Sequence, residues 1–371
     1  MKIAIDLTSL ADNFSGIERF ASSISYEMLK NHKENEYVLL FKREIFPIFK
    51  EFETSSNVEM IVLKQAKKLF FSQFILPACI QKIKADYYLF MAFPSPFFLF
   101  KRNMVTTIHD IGCWDCPETM KTVSKIYFRM LYRKDAWIDR SILTVSDFSK
   151  QRIKEKLGVK SNRITTIYNG ISDVFLNYAS DEQKEQQVVQ KYALPENYIL
   201  CLSTLEPRKN MRLLVEAYEE LLLEDKLDCE LVLAGRNGWK MQNLLEQIDK
   251  KVVEHIHFTG FVDNDDLPIV YKYAKCFVFP SIYEGFGIPP LESLYMNTKV
   301  VSSDAASLPE VLGDAAVYFK NRDKEDLKVK LLTCLEEPVG EEWLAVSREV
   351  TSKYRWDKEA SKLLQYLEKL K

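Results

Sequence analysis

The chain of 371 residues contains no uninterrupted apolar run approaching the roughly 20 residues that cross a bilayer as a helix. The opening stretch MKIAIDLTSLADN does not resemble a signal peptide, because Asp6 interrupts its apolar core and a turn follows. Cysteine is sparse: seven residues, an odd number without framework spacing, which excludes a disulfide scaffold and suits a reducing cytoplasm. Cys113 and Cys116 in CWDC stand outside any thioredoxin-like pattern and read as ordinary thiols. With only 11 glycines and 13 prolines against 47% apolar residues, the composition is globular rather than disordered. No G-x-G-x-x-G follows an early strand, which weighs against a dinucleotide-dependent oxidoreductase. The net charge of −2 gives no reason to expect a nucleic-acid partner.

That small net charge hides a division. Residues 1–170 carry 26 Lys and Arg against 18 Asp and Glu, and residues 171–371 carry 25 against 35. The length exceeds what one hydrophobic core usually serves, so two domains are expected. Strand-like runs (KIAIDL, YVLLF, VEMIVL, YYLF, MVTTIHD, SILTVS, ITTIYNG) alternate with helical spacing in the first half. The pattern restarts with YILCLS, CELVLAG, IHFTG, CFVFPS, KVVSSD and AVYF. Alternation of this kind predicts α/β architecture: two doubly wound domains, residues 1–172 and 173–355, with ligands at the carboxyl ends of parallel strands facing a central cleft. Residues 356–371 form a helix with Trp356, Ala360, Leu363, Leu364 and Leu367 on one apolar face, and periodicity leaves open which domain it joins.

Four stretches carry chemistry. In FPSIYEGFGIPPLESL, Glu284 and Glu292 flank Gly285 and Gly287, two glycines expected to supply unusual backbone angles and close approach to a ligand. Pro289 and Pro290 suit the first turn of a helix whose open amide end attracts phosphate, and Glu292, one turn in, could accept two hydroxyl protons of a ribose. In LSTLEPRKNMRLLVEAYEEL, Arg208 and Lys209 lie at a strand-to-helix turn, where they oppose the helix dipole and match a diphosphate instead. His109 ends the strand MVTTIHD at a sheet's carboxyl edge, a position equally suited to a core imidazole bonded to backbone. Gly16, in SLADNFSGIERF, opens another helix. Two tempting metal signals are set aside. Asp263 or Asn264 of DND is expected to cap a helix, and the imidazoles of His255 and His257 in HIH are expected to point apart.

In their order along nearly the whole chain, SGIER, the strand ending in HD, TVSDFSKQRI, IYNGI, EPRKN, LVLAG, FTGFV and EGFGIPPLE resemble glycosyltransferase family 4, retaining nucleotide-sugar enzymes of GT-B fold. The resemblance implies that Arg208 and Lys209 neutralise the donor diphosphate and that Glu292 holds the ribose. It implies that Glu284 with Gly285, Phe286, Gly287 and Ile288 grips the sugar and that His109 contacts it from the other domain. Gly260, Phe261 and Val262 would border the base, and Gly16 the phosphates or acceptor. It further implies no metal or other cofactor, front-face transfer without a covalent intermediate, and a glycan or lipid-linked acceptor in bacterial-type surface polysaccharide synthesis. GDP-mannose is the favoured donor, with UDP- and dTDP-sugars close behind. The loop departs from many members in reading Ser15-Gly16 rather than two glycines, which bears on acceptor contacts. A sugar-nucleotide hydrolase or epimerase on the same architecture, or a non-catalytic nucleotide-sugar binder, are the rival readings. Residues 64–85 and 121–140 interleave lysines and arginines with bulky apolar side chains, which suggests an anionic membrane as a further partner on the cytoplasmic side.

Overall fold

The computed structural model describes residues 1–10, 15–204, 206–235 and 245–371. Thirteen strands among the described residues form two sheets, parallel throughout the recorded pairings. In the first, β1 (Lys2–Asp6), β2 (Glu36–Lys42), β3 (Val58–Leu63), β4 (Tyr87–Phe90), β5 (Met104–Thr107), β6 (Ser141–Thr144) and β7 (Ile164–Thr166) take the order β3-β2-β1-β4-β5-β6-β7. In the second, β8 (Tyr198–Leu202), β9 (Glu230–Ala234), β10 (Ile256–Gly260), β11 (Cys276–Phe279), β12 (Val300–Ser303) and β13 (Ala316–Phe319) take the order β10-β9-β8-β11-β12-β13. Every residue of β4, β5, β6, β11 and β12 is buried, as expected for strands covered on both faces. In each sheet the strand order reverses once, between β1 and β4 and between β8 and β11, and such a switch opens a crevice beyond the strands' carboxyl ends.

Five helices matter below: α1 (Gly16–Asn31), α2 (Thr122–Ile138), α3 (Met211–Leu223), α4 (Ile288–Tyr295) and α5 (Trp356–Lys369). α1 starts on a capping box, in which Ser15 accepts from the Ile17 amide while Glu18 accepts from the Ser15 amide. The chain divides into two compact units, residues 1–170 with 355–371, and residues 171–354. The divisions fall two residues and one residue earlier than those expected from composition. α5 therefore belongs to the first unit. Its apolar face is buried, with Trp356 6.1 Å from Phe20 on α1, and Arg140 donates to the Leu370 carbonyl at 2.7 Å. A Cβ added at Gly170 would meet the Trp356 amide nitrogen at 2.5 Å, so the chain passes this ring too closely for any larger residue.

Asp263 takes the cap position of a 3-10 turn (Asn264–Asp266) but makes no side-chain cap hydrogen bond, its carboxylate pairing with Lys191 at 2.7 Å. One expectation fails here. The imidazoles of His255 and His257 do not diverge: both reach the Glu230 carboxylate, at 3.0 and 2.9 Å. Residues two apart on an extended chain share a face, and that geometry overrides the expectation of opposite directions. Among the described residues no helix is long and apolar enough to cross a membrane.

Leu363→Ala would leave a void beneath α5, with an expected loss of about 2–5 kcal/mol. Hydrogen exchange should show the loss of protection in β1 and α1 rather than in β8–β13, and protection lost first in the second unit would contradict the assignment of α5.

Candidate active site

At the switch point of the second sheet, two loops meet. After β8, Pro207–Lys209 form a single 3-10 turn and Asn210 takes a left-handed conformation (φ 51°) before α3 begins. After β11, the chain runs through Ser281–Gly287 into α4. The Ile282 amide donates to the Arg208 carbonyl at 2.9 Å, tying the loops together. Lys209 Nζ then lies 2.6 Å from Glu284 Oε1 and 5.3 Å from the centre of the Phe279 ring. Both side chains are largely withdrawn from solvent. Ser307 holds the far side of the second loop, donating to the carbonyls of Glu284 (3.0 Å) and Phe286 (3.1 Å). Phe286 packs its ring edge-on against Tyr354.

Of the two glycines, only Gly287 has the expected backbone freedom, at φ 101°; Gly285 does not adopt a positive φ. A Cβ at Gly287 would approach Leu308 Cδ2 to 2.6 Å. Gly287 is the cap of α4, and Pro289 and Pro290 occupy its first turn. Of the four amides that a helix start leaves open, two are therefore absent, and Gly287 and Ile288 supply the others. Glu292 lies one turn further, 1% exposed, and accepts a hydrogen bond from the Tyr271 hydroxyl at 3.3 Å.

Gly260, Phe261 and Val262 lie at the end of β10, two places from β8 across the sheet. Gly260 is left-handed (φ 69°), Phe261 is exposed and Val262 is buried. They are linked to the β8 turn through Gly235, whose amide donates to the Gly260 carbonyl at 2.9 Å. At φ 139° and with Ser203 O only 2.0 Å from where a Cβ would stand, Gly235 can be nothing but glycine. His109 and Gly16 belong to the first unit. His109 follows β5, where Nε2 donates to the Met91 carbonyl at 3.0 Å and the ring meets Phe20 edge-on at 5.1 Å. Gly16 is exposed at the first position of α1, and residues 11–14 of its loop lie outside the described residues.

The charges follow from these neighbours. Burial works to raise the Glu284 carboxyl, but the positive charges of Lys209 and Arg208 outweigh it and hold the group below its ordinary range. Burial lowers His109 and keeps the imidazole neutral, more than the Met91 carbonyl and Asp110 restore. Burial also pushes up the carboxyl of Asp6, at the end of β1, despite hydrogen bonds from the Thr8 hydroxyl (2.7 Å) and amide (3.0 Å). Asp6, Tyr271, Ser307 and Gly235 escaped the reading of the sequence. Only Gly235 left a signal there, as the glycine closing LVLAG; the other three become visible once distant segments are brought together.

Lys209→Met should leave Glu284 buried without its hydrogen-bonded ammonium and with only Arg208 as counter-charge, at an expected cost of about 3 kcal/mol in urea unfolding, with most of it regained in Lys209→Met/Glu284→Gln. For His109 the unfolded chain binds a proton, near pH 6.5, that the folded chain resists. Stability should therefore decline as pH falls below about 6.5, and His109→Gln should flatten the profile from pH 7 to 5.5. An unchanged slope would show that the imidazole protonates freely in the folded protein.

Two family profiles cover most of the chain: Glycosyltransferase Family 4 matches residues 16–174, and Glycosyl transferases group 1 matches residues 182–353. The chain is 36% identical over 235 residues to the O-antigen chain mannosyltransferase B of Escherichia coli, covering 63% of this chain and 61% of that protein. It is 30% identical over 224 residues to the O-antigen chain mannosyltransferase RfbU of Salmonella typhimurium, covering 60% and 58%. The matched region thus spans about three fifths of the length of these relatives. In fold it is similar to Alr3699/HepE of Anabaena, solved in complex with UDP and glucose, with a TM-score of 0.74 at 15% identity over the full length of both chains. With two parallel Rossmann-like units, the loops at their switch points and these matches, the chain belongs to glycosyltransferase family 4 and has the GT-B fold.

Proposed function

We propose that the chain transfers a hexosyl group, mannosyl in the first instance, from a nucleotide sugar to a glycan or lipid-linked acceptor in bacterial surface polysaccharide synthesis. The observation that carries this reading is the Lys209–Glu284 pair beside Arg208, at the mouth of the second sheet and next to the start of α4. The E. coli and Salmonella relatives are O-antigen chain mannosyltransferases, which favours mannose and hence GDP-mannose as donor. In the scheme, the donor's diphosphate takes Lys209 and Arg208 as its counter-charges and displaces Glu284. The released carboxylate, ionised across the neutral range, accepts protons from the sugar's hydroxyls. Glu292, oriented by the Tyr271 hydroxyl, receives the ribose diol. Phe261, exposed at the end of β10, borders the base.

Departure of the nucleoside diphosphate limits such a transfer, and negative charge grows on the leaving oxygen as the bond to the anomeric carbon lengthens. Two fixed cations stabilise that charge without a metal ion, and removing one such group costs about 10²–10³ in rate. Retention follows if the acceptor hydroxyl attacks from the face the phosphate leaves, passing its proton to the departing oxygen. The first unit, with its neutral His109, is assigned to the acceptor and the reacting sugar. The seven free thiols suit a reducing cytoplasm.

Arg208→Ala/Lys209→Ala should abolish transfer while leaving far-UV dichroism unchanged, and GDP-mannose should no longer raise its Tm. In the wild-type chain, donor at about 100 times its Kd should add about 2.7 kcal/mol. Donor consumed equally with and without acceptor would favour a hydrolase. Near-native transfer by the double variant would remove these residues from the mechanism.

A further inference from the structure

The loop at Ser281–Gly287 is held along its carbonyls by the stretch that follows it in the sheet. Ser303, at the end of β12, donates to the Ser281 carbonyl, and Ser307 donates to the carbonyls of Glu284 (3.0 Å) and Phe286 (3.1 Å). Asn321, just beyond β13, donates to the Ile282 carbonyl at 3.2 Å. In a planar trans peptide the carbonyl of one residue and the amide of the next point in opposite directions. The Ile282 amide accordingly leaves on the other side, toward the Arg208 carbonyl at 2.9 Å. By the same rule the bonds to Ser307 turn the amides of Gly285 and Gly287 away from it. Ser307 is fully buried, and its one hydroxyl proton is shared between two carbonyls. Leu308 completes the hold, because its Cδ2 stands 2.6 Å from where a Cβ on Gly287 would lie. The peptide unit 286–287 is thus bonded at its carbonyl and packed at its α-carbon.

The direction of that unit matters because the start of α4 has few donors. Pro289 and Pro290 remove two of its four open amides, so Gly287 provides half of what remains. The peptide that carries the Gly287 amide is the one that Ser307 holds. We propose that Ser307 is a positioning residue. It aims the Gly287 amide so that this group, with the Ile288 amide and the cations of Arg208 and Lys209, meets the charge that grows on the departing diphosphate. The inference rests on the transfer proposed above and deepens it. Ser307 acts through the peptide and not on the substrate. A donor aimed before the reaction needs no reorganisation as the charge develops, and that is the source of its weight in the rate.

The full chain and Ser307→Ala are compared in transfer from GDP-mannose and in titrations with GDP, UDP and GDP-mannose. A nucleoside diphosphate carries in full the charge that the donor develops only in the transition state. In Ser307→Ala, kcat should fall on the order of tenfold to a hundredfold, short of the 10²–10³ that outright loss of such a donor costs, with the KM for GDP-mannose within about threefold. The Kd of the nucleoside diphosphate that the wild type binds should rise on the order of tenfold while that of GDP-mannose stays nearly constant. Ser307→Thr restores the hydroxyl and should recover most of kcat. Asn321→Ala releases the Ile282 carbonyl of the same loop but leaves unit 286–287 bonded, and should cost far less than Ser307→Ala. Should Ser307→Ala fail to fold, Ser307→Cys, a weak donor of similar shape, reads the same split between kcat and KM. Equal losses in Ser307→Ala and Asn321→Ala, equal weakening of GDP and GDP-mannose, or wild-type kcat and nucleotide affinity in Ser307→Ala would each overturn the assignment. Nucleotide binding needs no acceptor, so a wild-type chain that binds GDP or UDP without transferring tells against the proposed transfer alone, and the nucleotide titration then decides on Ser307. A wild-type chain that binds neither would overturn both readings.

Discussion

The candidate site depends on one buried ion pair. Lys209 and Glu284 come from loops 75 positions apart and are brought together because β8 and β11 are neighbours at the place where the strand order reverses. Such a pair is not retained for stability. At the effective screening typical of proteins, two charges about 4 Å apart gain on the order of 4 kcal/mol, and withdrawing each ion from water costs several. A leucine and a methionine would fill the same space at no greater cost. The surroundings accept the charges by supplying further partners: the Phe279 ring for the ammonium, Arg208 as a second counter-charge, and Ser307 to hold the loop that carries the carboxylate. A charged pair kept at little net gain, at the end of central strands, is the form expected of a group with another ligand to exchange for.

Much of this was legible in the sequence, for a reason particular to parallel sheets. Strands buried on both faces read as short unbroken apolar runs, and CFVFPS or YILCLS can hardly be mistaken once helical spacing follows each of them. All thirteen strands coincide with the strand-like runs picked out in the sequence, although β3 (VEMIVL) and β10 (IHFTG) are only partly buried. The apolar face of α5 was legible too, but not the unit that it completes. Its side chains specify only that something apolar must cover them, and both units offer such surfaces. Contacts such as that of Arg140 with the Leu370 carbonyl, across 230 positions, are not encoded in any local pattern.

In the site, the residues named from spacing proved easier to find than their supports. Arg208, Lys209 and Glu284 violate local expectations, since basic groups before a helix and a carboxylate beside an apolar strand each oppose something nearby, and such conflicts are visible in one dimension. Tyr271 and Ser307 violate nothing. One is an aromatic on a helix and the other a hydroxyl before one, and only the packing of α4 against its neighbours gives them Glu292 and the Glu284 carbonyl as partners. The glycines divide in the same way. Gly287 and Gly235 are required by φ and by contacts under 3 Å, whereas Gly285 has an ordinary backbone, and the letter alone does not separate them.

α2 shows the limit of periodicity most clearly. The hydrophobic pattern of KTVSKIYFRMLYRKDAWIDR fixes which residues share a face but carries no information about what that face meets. The deciding feature is the pair at 134 and 135, charged residues that a solvated helix would place outward. They turn inward because the segment at Ser95 and Pro96 offers a hydroxyl and a carbonyl that a purely apolar core would leave unsatisfied. Burial and the neighbouring Asp135 keep Asp139 protonated far more readily than a free carboxyl, and the Thr106 hydroxyl donates to it. Leu131 and Ala136 are buried beside the charged pair, so the covered side of α2 is partly apolar as well. The spacing of the helix therefore says which residues share a side, and the buried pair together with Leu131 and Ala136 decides which side is covered.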